Sequence, residues 1–171
     1  NAFHDLRSLE TIVMQSQLIE RIDRHAFSKL PSLLEINLDL NKIDQIESFT
    51  FSDLPNLMEI SFLINRVTHI KSNAFFKLNQ MKEIKLNNQE IKTIESFSFN
   101  NLENLESIYL ANNNLTKLDN ANVFSNLPNL KQIDLRRNPL RSISYEAFSN
   151  VSSDFKLILD DFYIDLSGES S

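Results

Sequence analysis

The chain contains no cysteine, a single glycine (Gly168) and four prolines in 171 residues. Without cysteine there is no disulfide framework and no thiolate nucleophile. With so little glycine and proline there is no low-complexity linker to divide the chain and no Gly-rich phosphate loop, so it reads as one unit. GxSxG and HExxH are missing too. No apolar run approaches the ~20 residues of a membrane-spanning helix, and the opening Asn1-Ala2-Phe3-His4-Asp5 is not a signal peptide. Any targeting or anchoring segment is therefore expected outside this chain. Positive charge is also in deficit. The formal net charge of -6 argues against nucleic acid as a partner and against an anionic membrane surface.

What is present is a repeat. Residues Leu105 to Leu115 read LxxIxLxxNxL, and the pattern recurs from Leu9, Leu33, Leu57, Met81, Leu105 and Leu130, at 24-residue steps with one of 25. Positions 4 and 6 are apolar and alternate with mostly polar residues, as in Ile36/Leu38 and Ile84/Leu86. That alternation requires a short strand with one buried face in every repeat, stacked in parallel ~4.8 Å apart. Position 9 is an amide throughout: Gln17, Asn41, Asn65, Gln89, Asn113 and Asn138. Its donors and acceptors suit a place where the backbone turns inward and needs partners. The two glutamines predict looser geometry. A column of Phe3, Phe27, Phe51, Phe75, Phe99, Phe124 and Phe148 forms a packing spine on the return side. The extra residue of the long step falls within Asp119–Val123, expected on the convex surface.

Six repeats thus lie between a partial repeat at 1–8 and a terminal repeat at 154–166, followed by a polar tail at 167–171. In the terminal repeat, Leu157 and Leu159 are predicted on a strand, and Phe162, Tyr163, Ile164 and Leu166 are predicted to close the core. Beginning inside a repeat exposes a sheet edge. Asn1 is therefore read as a fragment boundary, or that edge as one covered by another chain, including a second copy of this one in a homodimer.

The repeats resemble the 24-residue class of leucine-rich repeats, LxxLxLxxNxLxxIxxxxFxxLxx, over nearly the whole chain. Segments such as Ser72–Leu78 and Ile143–Val151 resemble extracellular animal members, of which Toll-type receptors and small matrix proteoglycans are examples. The resemblance implies an α/β-type repeat solenoid: a curved horseshoe with a concave parallel β-sheet, one short strand per repeat, and a convex side that is mostly irregular, 3-10 or short helical. It implies ligand recognition by the concave sheet or a lateral face, no enzymatic activity and no cofactor. Extracellular members commonly carry cysteine-rich caps, which this chain lacks. A cytoplasmic scaffold therefore stands beside the favoured extracellular or cell-surface location, with innate immunity and glycosylation among the associations implied. Asn114-Leu115-Thr116 and Asn150-Val151-Ser152 match the glycosylation sequon, although asparagine is common enough here for chance matches.

Catalytic constellations do not assemble. His4, His25 and His69 fall at three different repeat positions, so they share no column and converge on no metal. The Asp160-Asp161 pair diverges, as adjacent strand residues do. The informative positions are those that packing leaves open on the concave face. Glu35, Glu59 and Glu83 stack as a carboxylate row, balanced in part by Lys82 and Lys85. Leu40, Leu63 and Ile64 form an apolar cluster that is either exposed as an interface or tucked into the core. Arg136 and Arg137 sit one repeat before Asp160 and Asp161, predicting mutual ion pairs. Tyr109 beside the arginines has the composition of a protein hot spot. The expected function is non-catalytic binding of a protein ligand through Glu35, Leu40, Glu59, Leu63, Ile64, Lys85, Tyr109, Arg136 and Arg137, with a self-associating structural fragment as the alternative.

Overall fold

Repeats of equal length can satisfy the backbone by pairing each residue with its counterpart one repeat away. In the computed structural model, which describes Phe3 and residues 6–160, that pairing runs the length of the solenoid. Seven strands form one parallel sheet in chain order: Thr11–Val13, Glu35–Asn37, Glu59–Ser61, Glu83–Lys85, Ser107–Tyr109, Gln132–Asp134 and Lys156–Ile158. The central isoleucines stand in register, Ile36 against Ile60 and Ile60 against Ile84, and are fully buried. Their strand neighbours point the other way, onto the concave face.

The amide column does what its chemistry suggests. Asn41 accepts from the backbone N–H groups of Gln17 and Ile19, both at 3.0 Å, and donates to the Met14 and Leu38 carbonyls at 2.8 and 2.9 Å. Asn65, Asn113 and Asn138 repeat the arrangement. Gln89 is looser, as expected. It accepts from Val67 N–H at 3.3 Å, and its amide donates to Phe62 and Asn87 carbonyls rather than to its own Leu86. The extra methylene carries the amide past the usual acceptor.

The convex side departs from the expectation of irregular and helical segments. It carries a second parallel sheet of six strands, Phe27–Ser28, Phe51–Ser52, Phe75–Phe76, Phe99–Asn100, Phe124–Leu127 and Phe148–Val151. A lateral ladder joins Gln45–Ile46, His69–Ile70 and Thr93–Ile94, and another joins Lys117–Leu118 to Ser142–Ile143. Among the described residues the helical content is one 3-10 turn, Tyr145–Ala147, capped by Ser144 Oγ. The fold is a β-solenoid rather than an α/β one. The physical reason lies in the turns. Residues at positions 8, 17 and 21 adopt left-handed backbone, with φ between 54° and 62°: Ser16, Leu40, Ile64, Asn88, Asn112 and Arg137; His25, Phe49, Asn73, Phe97 and Asn122; Lys29, Asp53, Lys77, Asn101, Asn126 and Asn150. These corners leave short extended segments between them whose N–H and C=O groups meet the next repeat, as in Phe49 N–H to Asn73 O at 2.9 Å.

The phenylalanine spine is a continuous stack, with centroid spacings of 5.3 to 5.7 Å from Phe3 to Phe148. Phe155 continues it below Phe148 at 5.6 Å. Phe162, Tyr163, Ile164 and Leu166, expected to close the core, lie outside the described residues, as do His4, Asp161 and the polar tail.

The 25-residue repeat keeps Phe124 in the stack, and the insertion is absorbed before it. Elsewhere the carbonyl at position 14 accepts from the backbone of the next repeat, as Ile46 does from Lys71 and Ile70 from Glu95. At the insertion Ile94 accepts instead from the side-chain amide of Asn120, at 2.8 Å. The lateral ladder breaks there.

Phe75, buried and stacked on both sides, should be among the most costly side chains to truncate. Phe75→Ala is expected to destabilise the chain by ~3–5 kcal/mol, read as a lowered urea midpoint. A loss under ~1 kcal/mol would show that the stack is not a packing spine.

Candidate functional site

The concave surface is built from positions 3, 5 and 7 of each strand and its exit, with position 8 at the rim. Glu35, Glu59 and Glu83 stand in register on adjacent strands, as expected. Lys85, two residues after Glu83 on the same strand, forms ion pairs with Glu59 of the adjacent strand and, at 3.4 Å, with Glu83. Partial burial lowers the Lys85 pKa, but the two carboxylates outweigh it and hold the ammonium above its ordinary value. Lys82 forms no ion pair with the row among the described residues. Glu35 is left as the unneutralised end of the row on the same terms.

The apolar cluster is exposed rather than tucked. Leu40 is 41% and Ile64 53% exposed, and Leu63 is half-buried. The left-handed backbone of position 8, φ 55° at Leu40 and 57° at Ile64, turns these side chains out of the strand alternation. Leu40 N–H bonds to Leu63 O at 2.9 Å, so the two repeats present their apolar groups side by side. Asp39 fixes the spot further, accepting from Ser61 Oγ at 2.6 Å and Leu63 N–H at 2.7 Å. In repeats 4 and 5 the same left-handed corner is made by Asn88 and Asn112, the residue type that tolerates it.

Around Tyr109 the expected pairing is corrected. Among the described residues, which include Asp160 but not Asp161, Arg136 forms no ion pair with the next repeat. It grips Asp134, Nε at 2.9 Å and Nη2 at 2.7 Å from the two carboxylate oxygens, while its own N–H bonds to the same group at 3.1 Å. Residues i and i+2 of a strand lie on one face, and that proximity beats a partner one repeat away. Asp160 accepts instead from the backbone N–H of Arg137. Tyr109 is half-buried, opposite Asp134 in register, with its hydroxyl accepting from Gln132 Nε2 at 3.1 Å. A shallow depression of about 390 Å³ lies over Ala111, between Asn87, Asn112, Arg136 and Arg137. Asp134, which orients Arg136, was missed from the sequence; its signal was an acid two residues before an arginine.

Of the sequon asparagines, Asn114 is exposed and its side chain has no hydrogen bond among the described residues. Asn150 lies in the convex sheet at φ 54° and donates to Asn126 Oδ1 at 2.9 Å. His25 meets Ser52 Oγ at 3.1 Å and His69 meets Thr68 Oγ1 at 2.8 Å, in separate places. Among the described residues no group of three or more His, Asp or Glu side chains is placed to hold a metal, and no helix is long and apolar enough to cross a membrane.

The family profile described as BspA type leucine-rich repeat region, in six copies, matches residues 1–75 and 45–162. The chain belongs to that family. BspA-type and other leucine-rich-repeat modules are generally protein-binding scaffolds and typically non-catalytic. In fold, this leucine-rich-repeat chain is similar to TLR13 as seen in its complex with ssRNA13, at TM-score 0.57 and 26% identity over 92% of this chain. It spans about a quarter (25%) of that chain. It is similar also to human 5T4 (Wnt-activated inhibitory factor 1, trophoblast glycoprotein), at TM-score 0.50 and 15% identity, covering 89% of this chain and 69% of that one. No curated protein matches it in sequence.

Hydrogen bonding to the Arg136 guanidinium holds the Asp134 carboxyl below its ordinary value, against the opposing effect of burial. A depressed folded-state pKa gives stability that is present above the unfolded value, ~3.9 for aspartate, and is lost as pH falls through the folded one. Asp134→Asn is therefore expected to destabilise the chain by ~1–3 kcal/mol at neutral pH, with the difference shrinking as pH drops below the ordinary carboxylate range. Urea titrations of both proteins across that range check it. A pH-independent difference would show that the ion pair is not its source.

Proposed function

We propose that this module recognises a protein ligand through the concave rim of repeats 2 and 3, as part of a secreted or cell-surface protein. The observation that carries the reading is internal to the chain. Position 8 is left-handed in all six repeats, and Asn88 and Asn112 show what satisfies it, yet Leu40 and Ile64 occupy it with exposed apolar side chains. A bulky L-residue in left-handed backbone costs ~1–2 kcal/mol, and exposing it adds nothing to packing. Folding does not ask for these residues, so recognition is the remaining reason for them. The Glu35–Glu59–Glu83 row with Lys85 supplies a polar margin, and Tyr109 and Arg136 a second contact region towards the C-terminal repeats. Leucine and isoleucine ringed by charge are the composition of a protein interface.

TLR13 is described in complex with a single-stranded RNA. Here the carboxylate row and the net charge of -6 favour a protein ligand over a polyanion. The open Asn114 sequon and the similarity to TLR13 support the extracellular location, which in turn makes a receptor or immune-recognition role the natural extension.

Leu40→Asn with Ile64→Asn provides the test, because the asparagines are taken from the chain's own repeats. Stability is expected to stay level or rise by ~1 kcal/mol, while affinity for a purified partner captured by the wild-type chain falls at least about tenfold. Undiminished affinity would remove the rim from the site. A concentration-dependent dimer by light scattering, with no partner lost on mutation, would favour self-association.

A further inference from the structure

The flank of repeats 1 to 3 carries a groove that the concave site does not use. It encloses about 580 Å³ and is lined by Arg7, Lys29, Pro31, Asp53, Pro55 and Lys77. Its layout follows from the repeat. Position 21 contributes the row Lys29, Asp53, Lys77, and position 23 the row Pro31, Pro55. Two strand spacings of ~4.8 Å put the lysine backbones ~10 Å apart. An aromatic pair adjoins the lysine row. Phe76 meets Phe49 edge to face at 5.2 Å, and Lys77 Nζ lies 5.4 Å from the Phe76 ring.

The charge of this flank is not needed by the fold: in a chain of net charge -6, the groove gathers three cations around one carboxylate. The Lys77–Asp53 pair spans 3.6 Å with both ends exposed, so it contributes little to stability.

We propose that this groove docks an extended acidic segment of a partner protein, with carboxylates on Lys29 and Lys77 and an apolar side chain on Pro31 and Pro55. The spacing agrees. A polyproline II segment advances ~3.1 Å per residue with three residues per turn, so acids at i and i+3 stand ~9 Å apart on one side. Asp53, between the lysines, selects peptide over nucleic acid. A peptide sets a neutral residue opposite it, whereas a phosphate backbone must carry its charge past the carboxylate.

The test uses a fluorescein-labelled peptide, Glu-Pro-Phe-Glu-Pro-Phe-Glu, titrated with the full chain at low salt and followed by anisotropy. Saturable binding is expected, weakening about tenfold or more when Lys29→Glu and Lys77→Glu are combined. A comparable loss is expected when serine replaces phenylalanine in the peptide. The Leu40→Asn, Ile64→Asn chain should bind the peptide unchanged, which separates this groove from the concave rim. No saturable binding, equal binding by the charge-reversed chain, or tighter binding of a thymidine oligonucleotide of the same charge would each overturn the proposal.

Discussion

Hydrogen bonds between residues one repeat apart are the constraint from which the rest of this structure follows. Outside the tight turns that each repeat closes on itself, such as Thr50 N–H to Glu47 O, the backbone N–H groups look to a neighbouring copy, on three sides of the solenoid. Every copy must therefore turn its corners at the same residues, and in a chain with one glycine those corners fall to ordinary side chains. Surface chemistry is consequently organised in columns: a residue type at one position in successive repeats becomes a row with fixed spacing. The carboxylate row, the asparagine corners and the lysine row of the flank are all products of this rule.

The corners also provide an internal comparison that few globular folds offer. Asparagine, which bears left-handed backbone with little strain, holds many of them. Where leucine or isoleucine stands instead, the neighbouring repeats show that the fold had a better choice. Leu40 and Ile64 are such departures, side by side on the concave rim. Stability and recognition are thereby separable at single positions, because an alternative residue is already present elsewhere in the chain.

Much of this was legible in the sequence because burial leaves a periodic trace. The strand isoleucines, the amide column and the phenylalanine spine were placed by the 24-residue period alone. The convex ladders were not. Apolar spacing reports which side chains are buried, whereas Phe51 and Ser52 pair through backbone groups that have no side-chain signature. The position of Ile64 stayed open between surface and core for a related reason: a left-handed φ takes the residue out of the two-residue alternation, and only glycine would have announced it. For Arg136 the reading looked across repeats, while the nearest carboxylate lay two residues back on its own strand.

Asn120 gives the array a seam. The sheets on the concave and spine sides pass through the 25-residue repeat unbroken, but the lateral ladder ends at Ile94 and resumes at Lys117, with a single side-chain amide spanning the interval. In a quasi-one-dimensional array, where each repeat is held only by its neighbours, the weakest junction sets where cooperativity divides. Repeats 4 and 5 thus meet through two continuous sheets instead of the three that join repeats 2 to 4, so a tensile load along the solenoid meets less backbone pairing at this junction than at those before it.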